Sequence, residues 1–244
     1  MGLPGRLIVV LLAAASLRGC VRYEYEHELW LKVDGSGTVH VTGQPWLWTA
    51  FKGLGRADDP GGTATVEAAR ALFERSGLRV RTVTLTHREG RAYLFVAADF
   101  DDVSRLSGTP AFPDLDVRLT RDGDRLRLEG SWRRLNAVPQ KRDTPGLMAV
   151  RFHLPSKVYE HRNAASGVER GNIVAWRQDL AAGLRGQPLV FGAVMDRRSI
   201  LWSTLGLFAV AIGLAVSTLA VTLFVVFRRG RRAAATFASP PTGS

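Results

Sequence analysis

The stretch YEYEHELWLKVDGSGTVHVTG (residues 23–43) decides the fold class. Its odd positions up to Val33 carry Tyr23, Tyr25, His27, Leu29, Leu31 and Val33. The even positions from Arg22 carry Arg22, Glu24, Glu26, Glu28, Trp30 and Lys32. A two-residue period over this length predicts a long strand with one buried and one wet face. Asp34-Gly35-Ser36-Gly37 then turns the chain, and residues 38–42 return as the hairpin partner.

Further along, residues 63–76 (TATVEAARALFERS) predict an amphipathic helix capped by Thr63 or Thr65 and stopped by Gly77. Val66, Ala69, Leu72 and Phe73 lie on its apolar side. Two more hairpins follow, residues 78–87 with 91–100 and residues 115–121 with 125–132. The run at 93–98 is apolar on both sides, as a central strand requires. A helical turn is expected at 101–106, and strands resume at 147–154, 158–161 and 173–178. Residues 188–194 read either as a last strand or as the lead into the next segment. The prediction is an α+β fold: a largely antiparallel sheet with one principal packed helix, followed by a single C-terminal transmembrane helix.

The membrane reading rests on both ends of the chain. Residues 7–16 (LIVVLLAAAS) follow Arg6 and are too few to cross a bilayer, which takes about 20 residues, so they read as a signal-peptide core. Leu17-Arg18-Gly19-Cys20 then looks like a bacterial lipobox, with Cys20 the lipidation site; Arg18 departs from the small residue that pattern places there. Cys20 is the only cysteine, so no intramolecular disulfide forms. Residues 200–227 carry no charge and are long enough to span about 30 Å of hydrocarbon. Arg228, Arg229, Arg231 and Arg232 end the span and, by the positive-inside rule, place that end in the cytoplasm. The expected organisation is a lipoprotein signal peptide (1–19), an extracytoplasmic α+β domain (20–198), a transmembrane helix (199–227) and a cytoplasmic basic tail (228–244). The expected location is the bacterial cytoplasmic membrane.

The net charge of +11 shrinks once these flanks are removed. Residues 20–198 hold 27 basic and 22 acidic side chains, a balance of +5. That suits an anionic lipid surface and does not call for nucleic acid, for which the chain carries no binding motif.

Catalytic signatures are missing from the sequence. His27, His40, His87, His153 and His161 show no zinc-helix spacing, and no serine sits in a nucleophile-elbow context. The glycines around residues 53–62 fit no phosphate fingerprint. His27, among apolar positions, reads as a buried and hydrogen-bonded imidazole. No metal, cofactor or catalytic residue is assigned, and the chain reads as a non-enzyme.

The aromatic residues are more informative. QPWLWTAF (residues 44–51) groups Trp46, Trp48 and Phe51, either as a short helix plugging one end of the sheet or as a flap bordering a ligand pocket or dipping into lipid. Trp132 and Trp176 read as core. In the membrane helix Ala209, Gly213 and Ser217 recur every four residues, a stripe that allows close helix pairing.

The run GCVRYEYEHELWLKVDGSGTVHVTG, with the later RFHLPSKVYEHRNA and GNIVAWRQDL, resembles the LppM-like envelope lipoproteins. The likeness covers most of residues 19–227 in order and architecture. It implies a membrane-anchored extracytoplasmic domain whose sheet and helix enclose an apolar pocket for lipid or glycolipid. Two expectations of function result. In the first, the domain binds membrane lipid or another apolar envelope ligand. In the second, it is a scaffold that docks an envelope protein through an exposed apolar patch or a sheet edge.

Overall fold

A computed structural model describes residues 23–54, 62–134, 144–164, 168–198 and 200–237. These form two units, one through Arg197 and one from Arg198 onward. Cys20 and the expected leader lie outside the described residues.

The first unit is α+β, as expected, but its strands divide between two sheets. Strands β1 (Tyr25–Leu31) and β2 (Gly37–Gly43) form the opening hairpin, and both alternate strictly between buried and half-buried positions. At the turn Asp34 accepts from the Ser36 backbone N–H (2.9 Å) and hydroxyl (2.8 Å). Gly37 must be glycine, because a Cβ there would strike the Trp30 carbonyl and the Phe100 ring. Strands β3 (Arg79–Arg88) and β4 (Arg91–Phe100) extend this sheet, with β4 between β3 and β2, where its two-sided apolarity is used.

Strands β5 (Leu115–Asp122) and β6 (Arg125–Trp132) leave the first sheet and begin the second. The chain returns as β7 (Leu147–His153), which pairs with β1 in parallel, while the other pairings among the described residues are antiparallel. After β8 (Val158–Arg162), β9 (Val168–Arg170) and β10 (Ile173–Asp179), strand β11 (Leu189–Asp196) lies between β6 and β8. The orders are β3-β4-β2-β1-β7-β10-β9 and β5-β6-β11-β8. Periodicity tells which face of a strand is wet but not which strand it pairs with, so the division into two sheets lies beyond it.

Helix α1 (Pro45–Lys52) follows β2, and α2 (Thr63–Arg75) buries Ala69, Leu72 and Phe73. The expected threonine cap of α2 is not formed. Gly62 occupies the cap position with φ +74°, and the helix starts at Thr63 with no side-chain cap. The turn at Val103–Leu106 is a 3₁₀ helix capped by Asp102, and a short helix α3 (Leu180–Leu184) follows β10. Trp132 and Trp176 are core residues. The second unit is helix α4 (Ile200–Phe237), in which Thr204–Arg228 is long and apolar enough to cross a membrane.

Candidate functional site

Helix α1 is built from the aromatic stretch singled out above. Pro45 opens it, where a missing N–H costs nothing, and Gly53 closes it in the left-handed conformation (φ +64°). Trp48, Phe51 and Lys52 fall three and four residues apart and so share the face turned into the protein. Trp48 is fully buried and donates its indole N–H to the Gly43 carbonyl (3.2 Å). Phe51 is buried as well. Trp46 is half-buried and donates to the Gln44 side-chain oxygen (3.1 Å).

Lys52 is the surprise on that face. Its ammonium is buried, donates to the Ala111 carbonyl and sits 4.3 Å from the centre of the Phe112 ring. Burial pushes its pKa down to about 7, against a partial opposing pull from Asp114. His27 also packs against Phe112, 5.4 Å between ring centres, and lies 4.5 Å from Trp132. Tyr25, two residues earlier on the same strand face, packs 4.8 Å from Phe51 and 5.4 Å from Trp132. Arg134, also buried, lies 6.0 Å from Phe51 and donates to the Leu184 carbonyl (3.2 Å).

The polar atoms of this interior are undersupplied with partners. Among the described residues, the Tyr25 hydroxyl, both ring nitrogens of His27 and the Arg134 Nε are buried and make no hydrogen bond. The expected hydrogen bond to His27 is therefore not formed: its neighbours are aromatic rings, which offer no acceptor or donor in range. Burial, then the Lys52 charge, lowers the His27 pKa well below its ordinary value and keeps the ring neutral. Burial, then Asp114, raises that of Tyr25 well above 10 and keeps it a donor. Lone buried polar groups cost about 1–3 kcal/mol each, which makes this cluster the candidate site.

The outer surfaces are arranged differently. On the seven-stranded sheet Trp30 stands between His40 (4.3 Å) and His153 (4.5 Å), and His153 meets Glu28 at 2.7 Å. On the four-stranded sheet an open groove of about 280 Å³ runs over Gly192 and Val194, edged by Arg127, Glu129, Glu160 and Arg162. Its edges are charged, unlike the enclosed apolar pocket that the resemblance implies.

Of the remaining residues expected to matter, Ala209, Gly213 and Ser217 lie exposed along α4. Arg228 ends its apolar span, and Arg229, Arg231 and Arg232 continue the helix. Among the described residues no group of three His, Cys, Asp or Glu side chains could hold a metal ion. Sequence reasoning missed Tyr25, Lys52, Asp114 and Arg134. Lys52 was within reach of it, since it lies four residues after Trp48 and therefore on the apolar face of the same helix.

The chain matches no known family pattern and no curated protein. Among solved structures it is similar to the NMR structure of the folded domain of Mycobacterium tuberculosis LppM. The TM-score is 0.41 at 16% identity, covering 72% of this chain and 90% of that one. This is a weak likeness of fold.

Proposed function

We propose that the chain is a membrane-tethered, extracytoplasmic, non-enzymatic domain that takes an amphiphilic envelope ligand between its two sheets, behind α1. One observation carries this reading. The Tyr25 hydroxyl and the His27 imidazole are buried without hydrogen bonds inside a wall of aromatic rings, an arrangement that suits a molecule with a polar head and an apolar body. Trp46, Trp48 and Phe51 border the route such a ligand would take. The tether is α4 at one end and an acyl group on Cys20 at the other, with the arginine-rich terminus in the cytoplasm.

Native mass spectrometry of the full chain extracted from membranes tests the site. A bound amphiphile is expected, and it is lost from a Tyr25→Phe, His27→Leu double variant that still folds. An unliganded wild-type chain overturns the reading. Incorporation of labelled fatty acid into wild type but not into Cys20→Ala tests the second anchor separately.

A second reading has its own observation. The open charged groove over Gly192 suits docking of an envelope protein segment, with a backbone running where Gly192 lacks a side chain. Crosslinking from Arg162 in native membranes is expected to recover one constant partner if that groove is occupied.

A further inference from the structure

We infer that the interior cluster at the end of α1 is a monoanion site, in which a carboxylate head group docks between Lys52 and Arg134 with the Tyr25 hydroxyl donating to it. This rests on the interior reading above and names the head group that reading leaves open.

The charge inventory leads to it. Lys52 enters from α1, Tyr25 and His27 from β1, Asp114 from the turn before β5, and Arg134 from just beyond β6. Helix α2 contributes Phe73, which is apolar, 5.7 Å from the Lys52 ammonium. Asp114 acts electrostatically on Tyr25, Lys52 and Arg134 alike, so one carboxylate serves two cations. With Lys52 protonated the described residues of the cluster carry one excess positive charge in a buried place, which is costly. Without an anion the cheapest remedy is to shed the lysine proton, which agrees with a Lys52 pKa near 7. A bound carboxylate is the other remedy, and it restores the proton.

The donors also suit an anion. A lysine ammonium has three N–H donors, of which the Ala111 carbonyl takes one. Arg134 has an unused Nε–H beside the one that meets Leu184. The Tyr25 hydroxyl is held protonated by burial and by Asp114. Phe51, Phe112 and Trp132 supply apolar walls for a tail. An alcohol or amide head would use the hydroxyl and imidazole but would leave the charge unbalanced. Discrimination between a carboxylate and an uncharged head should therefore be linked to the Lys52 proton.

The test compares octanoate with 1-octanol by equilibrium dialysis against full chain in nanodiscs, with empty nanodiscs as the blank. Octanoate is expected to bind at pH 6.5 more tightly than octanol, by tenfold or more. Its affinity should fall about tenfold per pH unit above pH 7, with uptake of one proton. Octanol should show no such slope. Lys52→Met, which fills the same buried space without charge, should bring the two probes to equal affinity. Lys52→Arg, whose charge is fixed, should restore octanoate binding without the pH slope. Octanoate and octanol binding equally at every pH overturns the anion site and leaves the interior ligand reading standing. Neither probe binding overturns both.

Discussion

The two faces of β1 carry similar numbers of polar side chains and treat them in opposite ways. On the outer side, just before β1 begins, Glu24 accepts from Gln44 (2.5 Å) and Tyr93 (3.2 Å) and lies 3.6 Å from Arg91. Glu26 pairs with Arg151 at 3.2 Å; Glu28 pairs with Arg151 at 3.3 Å and His153 at 2.7 Å. On the inner face the Tyr25 hydroxyl and the His27 ring nitrogens have no hydrogen-bond partner among the described residues. The parallel pairing with β7 explains the first half, since it sets Glu28 level with Arg151 and Trp30 level with His153. Aromatic packing explains the second. Partners were supplied where strands abut and withheld where the interior is lined by rings, which is why the inner face is the candidate site.

The sharpest way to break this contrast is to remove the ring that seals the inner face. Trp48 is fully buried, packs against Phe73 at 6.0 Å and Tyr25 at 6.3 Å, and is anchored to Gly43. Trp48→Ala is expected to destabilise the domain by about 3–5 kcal/mol in chemical denaturation of the full chain. A loss below about 1 kcal/mol would mean that α1 is not part of the core.

The next effect in size is a pH dependence. Lys52 titrates near 7 when folded and near its ordinary 10.5 when unfolded. Between these values the unfolded chain binds the extra proton, so stability rises with pH by at most about 1.4 kcal/mol per unit. Below 7 both states are protonated and the contribution is flat. His27, whose folded pKa is lowered by burial and then by Lys52, acts in a separate window below 6.5. On the outer face burial raises the Glu28 pKa, but His153 and Arg151 outweigh it and the net shift is downward. Its contribution is present above the ordinary carboxylate range and is lost on acidification through its lowered folded value. Denaturation midpoints between pH 7 and 10 should thus slope upward in wild type and flatten in Lys52→Met. An unchanged slope in that variant would assign the titration to another group.

How far these features were legible in the sequence follows the same division. The β1–β2 hairpin, helix α2 and the two later hairpins were readable because each shows its period and its turn within one short window. The three-residue β9 and the five-residue α3 are too short to show a period. Residues 188–194 stayed ambiguous because β11 is apolar almost throughout, and a strand buried that fully does not alternate. The second sheet depends on long-range pairing of β6 with β11, which no local pattern records. The inner cluster was half legible. His27 could be placed on the buried face, but that Lys52 would approach it, and that Asp114 would act on Tyr25, Lys52 and Arg134, depends on tertiary approach.

The smallest expected effect sets one substitution on each face of β1 side by side. His27→Leu removes two unpartnered nitrogens and keeps most of the volume, so it should be neutral or stabilising, by up to about 1–2 kcal/mol. Glu28→Gln keeps the shape and weakens contacts with Arg151 and His153 that are about a fifth exposed, so it should cost about 0.5–1 kcal/mol at pH 7. Opposite signs at positions one residue apart are the signature of the contrast. If His27→Leu is the destabilising one, then the imidazole has a partner in solution, an internal water being the simplest, and the inner face is as well served as the outer. Paired thermal melts of the two variants decide between these outcomes, because the sign is read without needing the absolute stability.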